Sequence, residues 1–237
     1  KYCLGGCGNV LRNLANLGVQ INVVSVIGED HAGKKIKKDL KIKDISNRYI
    51  VTSKSIRTTE KMRIVAEGQQ LVRVDWDSRN LTNQCINQIL IKVSKNIKEV
   101  DGIIISDYNK GVCTEVVVRE IIERARKLKI PTYVDPKGKN WDKYYGASII
   151  TPNLKEAEEA IGRELITDED VETAGKEICE DLSLGACLIT RGANGMSYIG
   201  KDVRFHVSSE AKEIYDVSGA GDTVIASFAS GIVAGFD

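Results

Sequence analysis

What most constrains this chain is the way short apolar runs alternate with longer amphipathic ones. Apolar, largely β-branched residues fill 21–27, 102–106, 132–134, 148–151 and 187–190, without regular polar alternation. Segments with helical spacing lie between most of them. In 114–129, Val117, Ile121, Ile122, Ala125 and Leu128 share one face, and Glu120, Arg124 and Lys127 the other. Thr167 opens a second such segment, 167–184, with Asp168, Glu169 and Asp170 in its first turn, where the helix dipole favours acids. Strands lacking polar alternation are strands buried on both faces. Alternating strand and helix then predicts an α/β fold with a mostly parallel central sheet and helices on both sides.

One stretch changes period. From Lys61 to Asp77, Met62, Ile64 and Ala66, then Val72, Val74 and Trp76, occupy every second place, with Glu67 and Gly68 between the two runs. This predicts an antiparallel hairpin. Such an insertion, at about 46–77, reads as a lid; an edge extension of the main sheet is the plainer alternative.

The rest of the composition removes whole classes. At 237 residues, with 42% hydrophobic and 28% charged residues and 3 prolines, the chain has room for one to two globular domains rather than a disordered or collagenous structure. A net charge of +1 leaves no bulk field for nucleic acid or an anionic membrane. The 6 cysteines form no Cys-x-x-Cys pair and there are 2 histidines, so a structural zinc site is not expected. The most apolar tail, 224–236, falls short of the ~20 residues of a membrane span. Without a leader-like segment, the expected compartment is the cytoplasm, with reduced thiols.

Ligands of parallel sheets sit at the carboxyl ends of the strands. Those ends carry Asp107-Tyr-Asn-Lys110, Asp135-Pro-Lys137, Pro152-Asn153-Leu-Lys-Glu156 and Arg191-Gly192-Ala-Asn-Gly195. The strongest local signal is Asp216-Val-Ser-Gly219-Ala220-Gly221-Asp222, followed by an apolar segment that reads as a helix. Free N–H groups at such a helix start attract anionic charge. A carboxylate at the same place, Asp222, is positioned to take a proton from a hydroxyl. Base beside anion hole suits phosphoryl transfer to an alcohol. A tight turn with Asp222 merely facing the dipole is the bland alternative. Gly28-Glu-Asp-His-Ala-Gly33-Lys34-Lys35 nearly spells a P-loop, but Lys35 stands where the magnesium-binding hydroxyl belongs.

Asp216-Val-Ser-Gly-Ala-Gly-Asp222 resembles the signature of the ribokinase (phosphofructokinase B) family of carbohydrate kinases, with Ser218 in place of the usual Thr. Gly5-Gly6-Cys-Gly-Asn9 resembles that family's sugar-binding segment, and 26–33 its Gly-x-Asp-x-x-Gly stretch. Asn153-x-x-Glu156 and Thr190-Arg-Gly192…Gly195 resemble its nucleotide-side motifs. Lys61-Met-Arg63…Arg73-Val-Asp75, the run 106–111 and Asp135-Pro-Lys-Gly138 are similar to the heptose 7-phosphate kinase branch.

The resemblance implies a single domain, 1–237, with a ribokinase-like three-layer fold and a small antiparallel β lid. It implies ATP-dependent phosphorylation of the C1 hydroxyl of D-glycero-D-manno-heptose 7-phosphate, on the way to ADP-heptose and the lipopolysaccharide core. Another sugar kinase of the same fold and a non-catalytic sugar or nucleotide binder are the rivals. Asp222 becomes the base, with Gly219, Ala220 and Gly221 as the anion hole. Asn153, Glu156, Thr190, Arg191, Gly192 and Gly195 would line the nucleotide, Glu156 and Asn153 also holding magnesium through water. Gly5, Gly6, Asn9 and Asp107 would meet sugar hydroxyls, and Arg63, Arg73 and Lys110 the 7-phosphate. ATP and magnesium are the implied cofactors, with room left for a monovalent cation. The implied partners are a second copy, joined through the lid, and a nucleotidyltransferase domain or protein. Its His-x-Gly-His motif is matched by neither His31 nor His206. The family pattern also has a strand, a substrate-binding Asp and more lid before Gly5, and helices after Asp237, so truncation at both ends is expected.

Overall fold

The structure, a computed structural model, describes residues 3–43, 45–66, 69–78, 80–209 and 219–236. Asp216 to Ser218 of the glycine-rich signature, and Glu67 and Gly68 of the hairpin turn, lie outside the described residues. In chain order the elements are α1 (Cys7–Asn16), β1 (Val26–Gly28), α2 (His31–Ile42), β2 (Val51–Ser53), β3 (Glu60–Ala66), β4 (Gln69–Trp76) and α3 (Asn83–Asn96). There follow β5 (Ile103–Ser106), α4 (Glu115–Leu128), β6 (Thr132–Asp135), β7 (Ile149–Ile150), α5 (Leu154–Ile161), α6 (Asp168–Asp181), β8 (Ala186–Thr190), β9 (Met196–Gly200), β10 (Arg204–Val207) and α7 (Ala220–Val233).

The central sheet runs β10-β9-β8-β7-β6-β5. β5 to β8 are parallel, and β9 and β10 return antiparallel at one edge. Alternate residues of each strand serve opposite faces. Ile105, Val134, Ile150, Cys187 and Ile189 pack on α4, α5 and α6 through Val118, Ile122, Ala157, Val171, Ala174 and Ile178. On the other face Ile104, Tyr133 and Ile149 meet α1 and α7 through Val10, Leu14, Ile225, Ala226 and Ala229. Both faces are therefore covered, as the apolar strand runs predict, and the layers are helix, sheet, helix.

The amphipathic segments become α4 and α6, each started by a threonine. Thr114 Oγ1 accepts from the Val117 amide at 3.3 Å, and Thr167 Oγ1 from the Asp170 amide at 3.1 Å. The expected strand at 21–27 shrinks to β1, whose ladder pairs with the three residues of β2, while Asn22 makes only an isolated bridge to Ser46. The P-loop lookalike is a cap: Asp30 takes the amides of Gly33 and Thr58 at 2.8 Å each and starts α2.

β3 and β4 form a separate antiparallel pair, not an extension of the main sheet. Their register sets Lys61 opposite Asp75, Met62 opposite Val74, Arg63 opposite Arg73 and Ile64 opposite Val72. One face is thus charged and the other apolar. Met62, Ile64 and Val72 remain 45–47% exposed. Among the described residues no helix is long and apolar enough to cross a membrane.

Candidate active site

Two helices begin at the same point. α1 and α7 pack together, and Asn13 Nδ2 donates to Thr223 Oγ1 at 3.0 Å. One turn nearer the start of α1, Asn9 Nδ2 donates at 3.1 Å to Oδ2 of Asp222, the residue before Thr223. The Tyr108 hydroxyl, from the loop after β5, donates to Asp222 Oδ1. Asp222 is 6% exposed, on the first turn of α7. A buried carboxylate persists where donors and a positive helix end compensate it.

Gly219 precedes α7 at φ 89°, in the left-handed region, and offers no side chain to cap the helix. A β-carbon there would stand 3.3 Å from both Asn9 Nδ2 and Asp222 Oδ2, so glycine serves conformation and space together. Gly219 itself therefore supplies no side-chain cap to the first amides of α7. Gly6 does the same service for α1: its φ is 54°, and a β-carbon would lie 3.4 Å from the Tyr108 ring.

The start of α5 is built differently. Asn153 Oδ1 accepts from the Glu156 amide at 2.9 Å, and Glu156 Oε2 accepts from the Asn153 amide at 3.1 Å, a reciprocal capping box. Glu156 Oε1 meets Lys137 Nζ at 2.7 Å. Lys137 is thus paired with Glu156, which pushes its pKa up.

Negative charge concentrates between these two starts. Asp135, at the end of β6, is pushed up to about 7 by burial and then by the charges of Glu156 and Asp222. Burial, then Asp222 and Asp135, push the Cys7 thiol up to about 11. Burial and Asp222 also push Tyr108 far above the usual phenol range.

The remaining candidates fall into three groups. A cleft of about 1810 Å³ takes in Gly5, Gly6, Asn9, Arg63, Asp107 and Lys110. Within it Asp107 is 2% exposed and bonded on both oxygens: to the Asn109 amide at 2.6 Å, Lys143 at 2.5 Å and Tyr144 at 2.8 Å. Its side chain braces the β5–α4 loop. Lys110 is ion-paired with Asp77 at the foot of the hairpin. Arg73 lies on the hairpin outside the cleft lining, ion-paired with Asp75 at 3.2 Å.

The third group, at the far end of the sheet, does not line that cleft. Thr190 bridges Asn153, and the Arg191 amide donates to the Gly195 carbonyl at 2.8 Å, closing the Gly192–Asn194 turn. The Arg191 side chain points inward, 8% exposed, to Asp168 at 2.5 Å and Ser197 at 3.2 Å. Sequence reasoning missed Tyr108, Lys143 and Tyr144. Tyr108 sat inside a motif already singled out, but its partner is 114 residues away.

Comparison with known proteins agrees with this architecture. The pfkB family carbohydrate kinase profile matches residues 1–237. The bifunctional protein HldE of Campylobacter concisus is 41% identical over 237 residues, covering 100% of this chain and 50% of that protein. The HldE protein of Paramagnetospirillum magneticum is 38% identical over 234 residues, covering 98% of this chain and 48% of that protein. The chain spans about half the length of the curated relatives it matches.

Among solved structures, the tetrameric inhibited form of phosphofructokinase-2 from Escherichia coli matches with a TM-score of 0.80 at 20% identity, covering 98% of this chain and 77% of that one. Arabidopsis thaliana ribokinase, complexed with ribose and ATP, matches with a TM-score of 0.77 at 20% identity, covering 98% and 76%. The profile match over the full sequence, together with relatives near 40% identity, places the chain: it belongs to the pfkB family of carbohydrate kinases.

Proposed function

We propose that this chain transfers the γ-phosphoryl group of ATP to the C1 hydroxyl of D-glycero-D-manno-heptose 7-phosphate. The observation that carries a kinase reading is the buried Asp222 at the uncapped start of α7, held from both sides where α1 begins. Asp222 removes the proton of the acceptor hydroxyl, and the hydroxyl oxygen attacks the γ-phosphorus in line with the departing ADP oxygen. The amides of Gly219, Ala220 and Gly221 hold charge that develops on the transferred group.

The heptose phosphate is supported by the hairpin. Register sets Arg63 directly opposite Arg73, whose charge is met in part by its ion pair with Asp75 at 3.2 Å, so an anion between the two arginines would supply a further counter-charge. Arg63 lines the cleft next to the Gly5–Asn9 segment. A 7-phosphate bridging the two guanidiniums would suit their fork geometry, with Lys110 at the foot of the hairpin.

The surplus of carboxylates around Asp135, Glu156 and Asp222 fits a hard divalent cation, which takes oxygen donors and water. Among the described residues no three His, Cys, Asp or Glu side chains converge closely enough to bind a metal themselves. Magnesium on the ATP phosphates, reaching Glu156 and Asn153 through water, would neutralise phosphate charge during transfer. Thr190, Gly192 and Gly195 would border the nucleotide, and Arg191 braces that turn from below.

The apolar hairpin face of Met62, Ile64 and Val72 suits a second copy of the chain in a homodimer. Sedimentation as a monomer at micromolar concentration would remove that pairing. A nucleotidyltransferase, whether a further domain or a partner protein, would take over the product.

The reading is tested by ADP release from magnesium-ATP with heptose 7-phosphate, ribose or fructose 6-phosphate as acceptor. Heptose-dependent turnover is expected. Turnover with another sugar alone would keep the kinase and discard the heptose assignment. No turnover with any acceptor would contradict the kinase reading for this chain.

A further inference from the structure

Asp222 is held by two donors of unequal standing. Asn9 sits in the first turn of α1, and its own Oδ1 accepts from Arg12 at 3.2 Å. Tyr108 comes from the loop after β5 and belongs to neither helix. That loop is braced unusually well. Asp107 beside it is buried and carries three donors, and Asn109 turns the backbone at φ 52° while giving its amide to Asp107. The Tyr108 ring rests against Gly6, where a β-carbon would come within 3.4 Å. The phenol is therefore aimed by structure on every side, and its target is the base.

We propose that Tyr108 is a positioning residue for the phosphoryl transfer: its hydroxyl, together with Asn9, fixes the rotation of the Asp222 carboxylate toward the acceptor hydroxyl. A carboxylate has about four lone-pair directions. Two donors, one on each oxygen, leave one direction on each and stop the group from turning. Burial and the Asp222 charge keep the phenol protonated, so Tyr108 remains a donor and does not itself exchange the proton. The other groups facing Asp222 are Asn9 and Cys7 of α1 and Asp135 of β6.

The inference rests on Asp222 being the base, and the experiment separates the two. Full-length wild type, Tyr108→Phe and Asp222→Asn are compared for ADP release between pH 5 and 9, with the acceptor found best for wild type. Phe keeps the ring against Gly6, and a melting curve checks the fold. In Tyr108→Phe, kcat should fall roughly tenfold, with KM for ATP and for the acceptor each within about twofold and an unchanged melting temperature. Unchanged kcat overturns the proposal. A lower kcat accompanied by raised KM values or a lowered melting temperature also overturns it, because that marks a purely structural tyrosine. If Asp222→Asn retains wild-type turnover, the base assignment itself falls. If Asp222→Asn is inactive while Tyr108→Phe is normal, the base stands and the role of Tyr108 falls alone.

Discussion

Two helices of this protein start at the edge of the same acidic region, and they treat their free amides in opposite ways. α5 begins with a capping box in which Asn153 and Glu156 satisfy each other's backbone. α7 begins with Gly219, has no side-chain cap, and carries a buried acid held by residues from elsewhere in the chain. Both starts carry an acid in the first turn, and the helix dipole favours both. The first arrangement is self-sufficient and stabilises the fold. The second has no cap from Gly219 and a buried acid oriented by distant donors, an arrangement that suits the anionic reactant of the proposed function. An acid three residues after the cap thus closes a capping box at one start and is held by distant residues at the other, where the proposed function places the chemistry; the difference lies in which partners the fold supplies.

The largest expected effect falls on α7. Asp222→Asn should lower turnover by on the order of 10²–10⁴ with little change in melting temperature, as steady-state ADP release and a thermal scan would show. Turnover like wild type would take Asp222 out of the mechanism. Next comes the hairpin. Arg63→Ala combined with Arg73→Ala should reduce kcat/KM for heptose 7-phosphate by roughly 10–10²-fold, leaving KM for ATP alone. An equal loss with an acceptor lacking the phosphate would mean the arginines do not read it.

The α5 start should respond in stability instead. Asn153→Ala should lower unfolding free energy by about 1 kcal/mol in a urea titration. Glu156→Gln keeps a side chain able to complete the box and should lower it less. A comparable stability loss in Asp222→Asn would erase the contrast between the two starts.

The smallest effect is a pH drift from Asp135. Its pKa is raised to about 7 in the folded protein, so between about pH 4 and pH 7 the native state binds more protons than the unfolded chain. Its share of stability is complete below about pH 4 and is lost as pH rises through 7. Asp135→Asn removes the titration, so its melting temperature relative to wild type should climb from pH 5 to pH 8. A constant difference would mean that Asp135 titrates normally.

Much of this was legible in sequence because it depends on local pattern. The apolar runs give β5 to β8, since strands covered on both faces cannot alternate polar residues. Period two gives the hairpin. The β9–β10 return was not anticipated: Arg204, Phe205, His206 and Val207 are all exposed, so no buried face marks the strand. The site was legible as glycine-rich turns beside acids. What stayed hidden was the partnership. Asn9 and Asp222 are 213 residues apart, and spacing along the chain says nothing about contacts at that range. Asn153-x-x-Glu156 shows the reverse case. Its spacing is that of a capping box, and the structure uses both residues that way.

The contrast between the helix starts is tested most directly by backbone amide NMR. The isotope-labelled chain would be titrated with magnesium-ADP and aluminium fluoride, a planar mimic of the transferred phosphoryl group, in the presence of heptose 7-phosphate. The amides of Gly219, Ala220 and Gly221 should shift strongly and become protected from exchange, while those of Leu154, Lys155 and Glu156 should change far less. Unmoved signals at 219–221, or larger shifts at 154–156, would contradict the assignment of the phosphoryl group to the start of α7.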